Sequence, residues 1–227
     1  MSQTRQQQSK TARTNILAKL KKQVQGADYT KLPQEKGFDY PQQSTEQQLA
    51  QFKSLLEANH AQVIELDYAD IAQVVVDYLK KNSLSNLLIA EHSPLAPQFK
   101  PFEESVSLKS FDFELHQGQQ FKETLFNEIQ ASITHSEAAI AATGSIVISP
   151  DFREPRTMSL VPPVHFIIVK RSTIHQNLQS LIELQSWQNG LPTNKVLISG
   201  PSKTADIQQT LAYGAHGPKE LIVLLCD

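Results

Sequence analysis

The chain has 227 residues, 40% apolar and 19% charged, with a formal net charge of −2. That balance suits a globular protein and excludes a function built on general attraction to nucleic acid or anionic membrane. A single cysteine, Cys226, excludes an internal disulfide framework and a cysteine-ligated iron–sulfur cluster held by one copy. No apolar run reaches the length of a bilayer-spanning helix, so no membrane span is expected and a reducing cytoplasm is the expected location.

Residues 1–44 form a basic, Gln-rich arm, and residues 45–227 form the main domain. Residues 1–27 carry six basic residues and no acidic one. Ile16, Leu17, Leu20 and Val24 recur at helical spacing, which predicts one helix with a face that could dock. Its Lys/Gln-rich composition argues against a targeting peptide. "STEQQLAQFKSLLEANH" predicts a helix with a capping box at Ser44–Gln47 or Thr45–Gln48. "AQVIEL" predicts a strand, "DYADIAQVVVDYLKKN" a helix, and "NLLIA", residues 86–90, a buried strand. Residues 92–123 predict a loop with a strand at 111–115, where Phe111 and Phe113 read as core, followed by a helix over about 120–130.

The second half is more regular. "GSIVIS", "VHFIIVKR", "KVLIS" and "ELIVLL" predict strands, and "PRTMSLVPP" a turn. "STIHQNLQSLIELQSWQNG" predicts a helix capped by Ser172 or Thr173, and "TADIQQTLAYG" a helix ending at Gly214. Apolar strands alternating with helices predict an open, mostly parallel α/β sheet with helices on both faces. Residues 145–149, 164–170, 195–199 and 221–225 are expected to share that sheet.

Three turns hold the candidate chemistry. Gly200, Pro201, Ser202, Lys203, Thr204, Ala205 and Asp206 follow one strand and open the predicted 204–214 helix. Free amides at a helix start bind anions, with hydroxyls and a Lys in support; equally, Ser202 or Thr204 caps the helix and Asp206 complements its dipole. The spacing is not that of a phosphate-binding Walker loop. Thr143, Gly144 and Ser145 form a second turn, either a close approach to ligand or a plain glycine turn. His216, Gly217 and Lys219 surround a third, where a His is available as acid, base or ligand. The catalytic candidates are His216, Asp206 and Glu137. No close His pair has metal-ligand spacing, and no metal site is expected. The turns are expected to converge at the carboxyl edge of the sheet around a small anionic ligand.

"AIAATGSIVIS", "SLVPPVHFIIVKRSTI" and "ISGPSKTADIQQTLAYGAHGPKELIVLLCD" together resemble the LUD domain of the lactate utilisation protein C family. The closing block is the most specific, with its Gly-Pro-Ser-x-Thr-Ala-Asp-Ile and Gly-x-His-Gly-Pro. The resemblance implies a fold similar to the glucosamine-phosphate deaminase, ribose-phosphate isomerase and CoA-transferase group. It also implies a place in a bacterial system that oxidises L-lactate to pyruvate, with iron–sulfur clusters on partner subunits and no cofactor bound by this chain. The family usually places an acidic residue where this chain has Ala142, so a role for that carboxylate does not transfer. Two other readings stand beside it: a stand-alone enzyme for a phosphorylated, CoA-linked or nucleotide ligand, and a non-catalytic scaffold.

Overall fold

A computed structural model describes residues 2–28, 40–111, 119–205, 211–213 and 217–227. The chain divides into two compact units, residues 1–42 and 43–227. The first contains helix α1 (Ser2–Val24), on which Ile16, Leu17, Leu20 and Val24 are exposed.

The second unit runs α2 (Thr45–Ala58), β1 (Gln62–Glu65), α3 (Ile71–Lys81), β2 (Asn86–Ala90), α4 (Ala96–Phe99), β3 (Ser107–Phe111), α5 (Gln119–Asn127), β4 (Ala131–His135), β5 (Ala138–Ile140) and β6 (Ser145–Ile148). It continues through α6 (Arg156–Leu160), β7 (Val164–Lys170), β8 (Ile174–His175), α7 (Leu178–Leu184), β9 (Val196–Ile198), β10 (Lys203–Ala205), β11 (Leu211–Tyr213) and β12 (Glu220–Cys226). The capping box closes at Ser44: its Oγ accepts from the Gln47 amide at 3.3 Å, and the Gln47 side chain accepts from the Ser44 amide at 2.9 Å. Helix α3 buries Ile71, Ala72, Val75, Val76 and Leu79, one stripe at helical spacing.

Among the described residues, six strands form one sheet in the order β1-β12-β7-β4-β2-β3, parallel throughout. Both faces are covered, which is why these strands read as continuous apolar runs. Phe166, Ile168, Ile222 and Leu224 pack on one face with residues of α3 and α4. Ile167, Val169, Val223 and Leu225 pack on the other with Phe52 and Leu56 of α2 and with a second sheet. Farther along that face, Leu88 and Ala90 meet Leu125 of α5 and Met158 of α6. The expected class, an open, mostly parallel α/β sheet with helices on both faces, is the one observed.

The structure corrects several local expectations. Strands β6 and β9 do not join the main sheet; they belong to a four-stranded sheet ordered β8-β5-β6-β9, antiparallel at β5–β6 and β6–β9. The turn at residues 141–144 is too short for a parallel crossover, so β5 and β6 must form a hairpin. The expected helix over 204–214 is absent from its described residues. Instead, β10 and β11 pair antiparallel, with Lys203 opposite Tyr213 and Ala205 opposite Leu211; residues 206–210 and 214–216 lie outside the described residues. Extended pairing satisfies the backbone there in place of helical hydrogen bonds. The expected helix after β7 starts later, because Ile174 and His175 first pair with Ala139 and Ile140. Asn177, not Ser172 or Thr173, caps it: the Asn177 side chain accepts from the Ser180 amide at 2.9 Å. The expected turn at 155–163 contains α6, and β4 and β5 were not foreseen as strands. Strand β3 ends at Phe111, and Phe113 lies outside the described residues.

Candidate functional site

The sequence of the three turns is fixed by how closely their backbones pass other chain segments. Gly144 has φ +58°, and a Cβ there would stand 2.6 Å from Leu55 Cβ on α2. Gly200 has φ +144°, and its Cβ would stand 2.7 Å from the Asn59 carbonyl at the end of α2. At Gly217 a Cβ would stand 3.0 Å from Ser202 Cβ. Only glycine fits the first two without moving backbone.

These contacts bring the turns together. Hydroxyls form a chain, Thr143 to Ser145 at 2.7 Å and Ser145 to Ser199 at 2.7 Å. The Ser202 amide donates to the Pro218 carbonyl at 2.8 Å. Between them lies a pocket of about 220 Å³, walled by residues 196–202, Gly217, Pro218, Leu221, His165 and the end of α6 at Ser159 and Leu160. Gly200, Pro201, Ser202 and Gly217 therefore line it directly. Thr143, Gly144 and Ser145 stand behind it, joined through Ser199.

The other sequence candidates fall elsewhere. Lys203 reaches away, its ammonium 3.2 Å from Asn59 Oδ1. Lys219 is exposed and outside the pocket wall. Thr204 and Ala205 belong to β10. Asp206 and His216 lie outside the described residues. Glu137 is engaged: both its oxygens accept from Lys195 at 2.7 Å, and it accepts from the Ser149 hydroxyl. Burial raises the Glu137 carboxyl, but the Lys195 and Ser149 hydrogen bonds outweigh it and hold it below the usual range. Ala142 carries no side-chain chemistry; its amide donates to the Gln176 carbonyl at 2.9 Å.

The pocket also lies at the opposite edge from the one expected. His165 and Leu221 are the second residues of β7 and β12, and Gly217–Pro218 leads into β12, so the site sits at the amino ends of those strands. The cause is the second sheet: the 199–202 turn follows β9, whose direction is set by antiparallel pairing with β6 and not by the main sheet. Thr204 lies in β10, so the helix expected to start there does not direct its dipole at the site. Among the described residues, no charged side chain lines the pocket. Its polar chemistry consists of serine hydroxyls, backbone groups and one imidazole.

That imidazole was not singled out in the sequence. His165 is fully buried, and its Nε2 lies 2.8 Å from Thr134 Oγ1 on the adjacent strand β4. Its Nδ1 is buried and has no hydrogen-bond partner among the described residues. Burial pushes the imidazole down to about 3, so it is neutral at neutral pH. A signal was present: "VHFIIVK" puts one histidine at a position that alternation turns inward with Ile167 and Val169. A second pair also went unforeseen. At the end of β4, Glu154 accepts from His135 twice, from its amide at 2.9 Å and from Nδ1 at 2.6 Å.

The model of the LUD domain matches residues 49–226, nearly the whole second unit. The chain belongs to the LUD domain family. Its domain is similar, with 35% identity over 94% of this chain and 93% of the relative, to an uncharacterized protein of Neisseria meningitidis serogroup B. Over 99 residues it is 35% identical to lactate utilization protein C of Macrococcus caseolyticus, a match covering 42% of this chain and 43% of that one. The LUD domain's fold is also that of a crystal structure of a DUF162 family protein from Deinococcus radiodurans. The TM-score is 0.61 at 19% identity, over 82% of this chain and 100% of the other. Among the described residues, no helix of the LUD domain or its arm is long and apolar enough to cross a membrane.

Proposed function

We propose that this LUD domain serves in lactate utilisation, as a subunit of an assembly that oxidises L-lactate to pyruvate, with the turn pocket holding a small carboxylate. The observation that carries the reading is the kinship with lactate utilization protein C, at 35% identity over 99 residues, within a LUD match spanning residues 49–226. Oxidising lactate to pyruvate releases two electrons and two protons. The electrons need a carrier, and one buried cysteine cannot ligate a cluster by itself. Iron–sulfur partner subunits are the carriers this reading calls for. The chain's own part is then to bind, orient or dock, not to conduct electrons. The test is a strain lacking the gene, grown on L-lactate as sole carbon source. Growth should fail, and the intact gene should restore it. Normal growth without a rescuing paralogue would overturn the proposal.

A further inference from the structure

We infer that the turn pocket recognises short-chain acids bearing an oxygen on C2, and that His165, set by Thr134, reads that oxygen. This rests on the pocket being the ligand site of the proposed function. The walls leave little choice of hydrocarbon. Leu160, Pro201, Pro218 and Leu221 face a space of about 220 Å³, enough for a short chain and not for a nucleotide. Charge is constrained too. No charged side chain lines the pocket among the described residues, and an ionised carboxylate cannot be buried there unpaired. The carboxylate therefore stays at the mouth, near the half-buried Ser202, and the rest of the molecule points inward.

Inside, the unspent hydrogen-bonding group is His165. One nitrogen faces Thr134 Oγ1 at 2.8 Å, and the other has no partner among the described residues. Thr134 matters because a hydroxyl both donates and accepts. When Nε2–H donates to Thr134, Nδ1 accepts from a ligand hydroxyl. When the Thr134 hydroxyl donates to Nε2, Nδ1–H donates to a ligand carbonyl. The neutral imidazole thus serves a 2-hydroxy acid and its 2-oxo counterpart by changing tautomer, with no change of charge in the wall.

The experiment compares L-lactate, pyruvate and propionate, which lacks the C2 oxygen, as probes of the full chain. Amide NMR would follow Ser202 and Gly217, with affinities from the titration. Lactate and pyruvate should bind about tenfold more tightly than propionate, the worth of one neutral hydrogen bond. His165→Phe should erase that preference, bringing lactate and pyruvate to the same affinity as propionate. Thr134→Val, which can neither donate to nor accept from Nε2, leaves both tautomers without their partner and should shrink the preference of both oxygenated acids over propionate. This second variant decides the matter if His165→Phe folds poorly. The inference is overturned if propionate matches lactate, if none of the three shifts the pocket amides, or if Thr134→Val leaves the preference for the oxygenated acids at its original size. A lactate growth defect without pocket binding would leave the role in lactate utilisation standing and remove only this assignment.

Discussion

The two faces of the central sheet are built from the same strands and differ in kind. Under α3, β7 and β12 present Phe166, Ile168, Ile222 and Leu224, an unbroken apolar surface no more than 2% exposed. On the opposite face, beside the apolar Ile167, Val169, Val223 and Leu225, β4 and β7 present a polar patch of Ser132, Thr134 and His165, equally buried at 2% or less. Ser132 donates to the Met158 carbonyl of α6 at 2.5 Å, and Thr134 meets His165. Burying polar groups costs free energy that only hydrogen bonds offset. The apolar residues of both faces therefore supply cohesion. The polar patch is a site whose shape depends on partners, and it opens on the turn pocket.

The sharpest way to break this comparison is to cut the apolar face. Phe166→Ala removes a fully buried ring that packs edge-on against Tyr78, centroids 5.2 Å apart. The expected loss is about 3–5 kcal/mol in urea unfolding. A loss below about 1 kcal/mol would mean that this face contributes little to cohesion.

At the polar patch the expected signature is a dependence on pH. Burial lowers the folded His165 to about 3 from an ordinary 6.5. Below pH 6.5 the unfolded chain takes up a proton that the folded chain refuses, so stability falls as pH drops towards 3. Between pH 7 and pH 5 the wild type should lose about 2 kcal/mol more than His165→Phe. Equal losses in parallel urea titrations would show that His165 is solvated in the fold and that the two faces do not differ as described.

The apolar strands were legible in the sequence and the polar patch was not, for a physical reason. Runs such as "NLLIA" and "ELIVLL" announce strands buried on both sides whatever their neighbours are. The same blindness to neighbours hid the second sheet, since "SIVI" reads alike in a parallel sheet and in a hairpin. Only the short turn at 141–144 could have told them apart. The 204–214 segment misled because Thr204 and Gly214 imitate helix caps, while its strands are stabilised by pairing with each other. At the site, Gly144, Gly200 and Gly217 were visible as glycines, though not what each had to avoid. His165 draws its meaning from Thr134 on another strand, and no local pattern contains that pair.

A smaller effect tests how tightly the turns bind the second sheet to the site. Gly144→Ala would place a methyl against Leu55 at 2.6 Å in a left-handed backbone. The expected loss is about 1–3 kcal/mol, read as a lowered melting temperature. Gly190→Ala, with nothing within 4 Å of its Cβ, carries only backbone strain and should cost less. Equal losses would mean that α2 yields freely and does not fix the turn.

The smallest expected effect concerns the hydroxyl chain behind the pocket. Ser145 is buried, and its Oγ contacts Thr143 and Ser199, each at 2.7 Å. Ser145→Ala and Ser199→Ala should each cost about 0.5–1.5 kcal/mol. They remove opposite ends of one hydrogen bond, so the double variant should cost less than the sum. Thr143 keeps this from being a simple pair. When Ser199 is truncated, Ser145 retains Thr143; when Ser145 is truncated, Thr143 and Ser199 both lose a partner. Ser145→Ala should therefore be the costlier change, and Ser199→Ala should cost almost nothing once Ser145 is gone. Strictly additive losses in urea unfolding would show that the two turns are held by backbone packing alone, and the Thr-Gly-Ser turn would then have no hand in shaping the pocket wall.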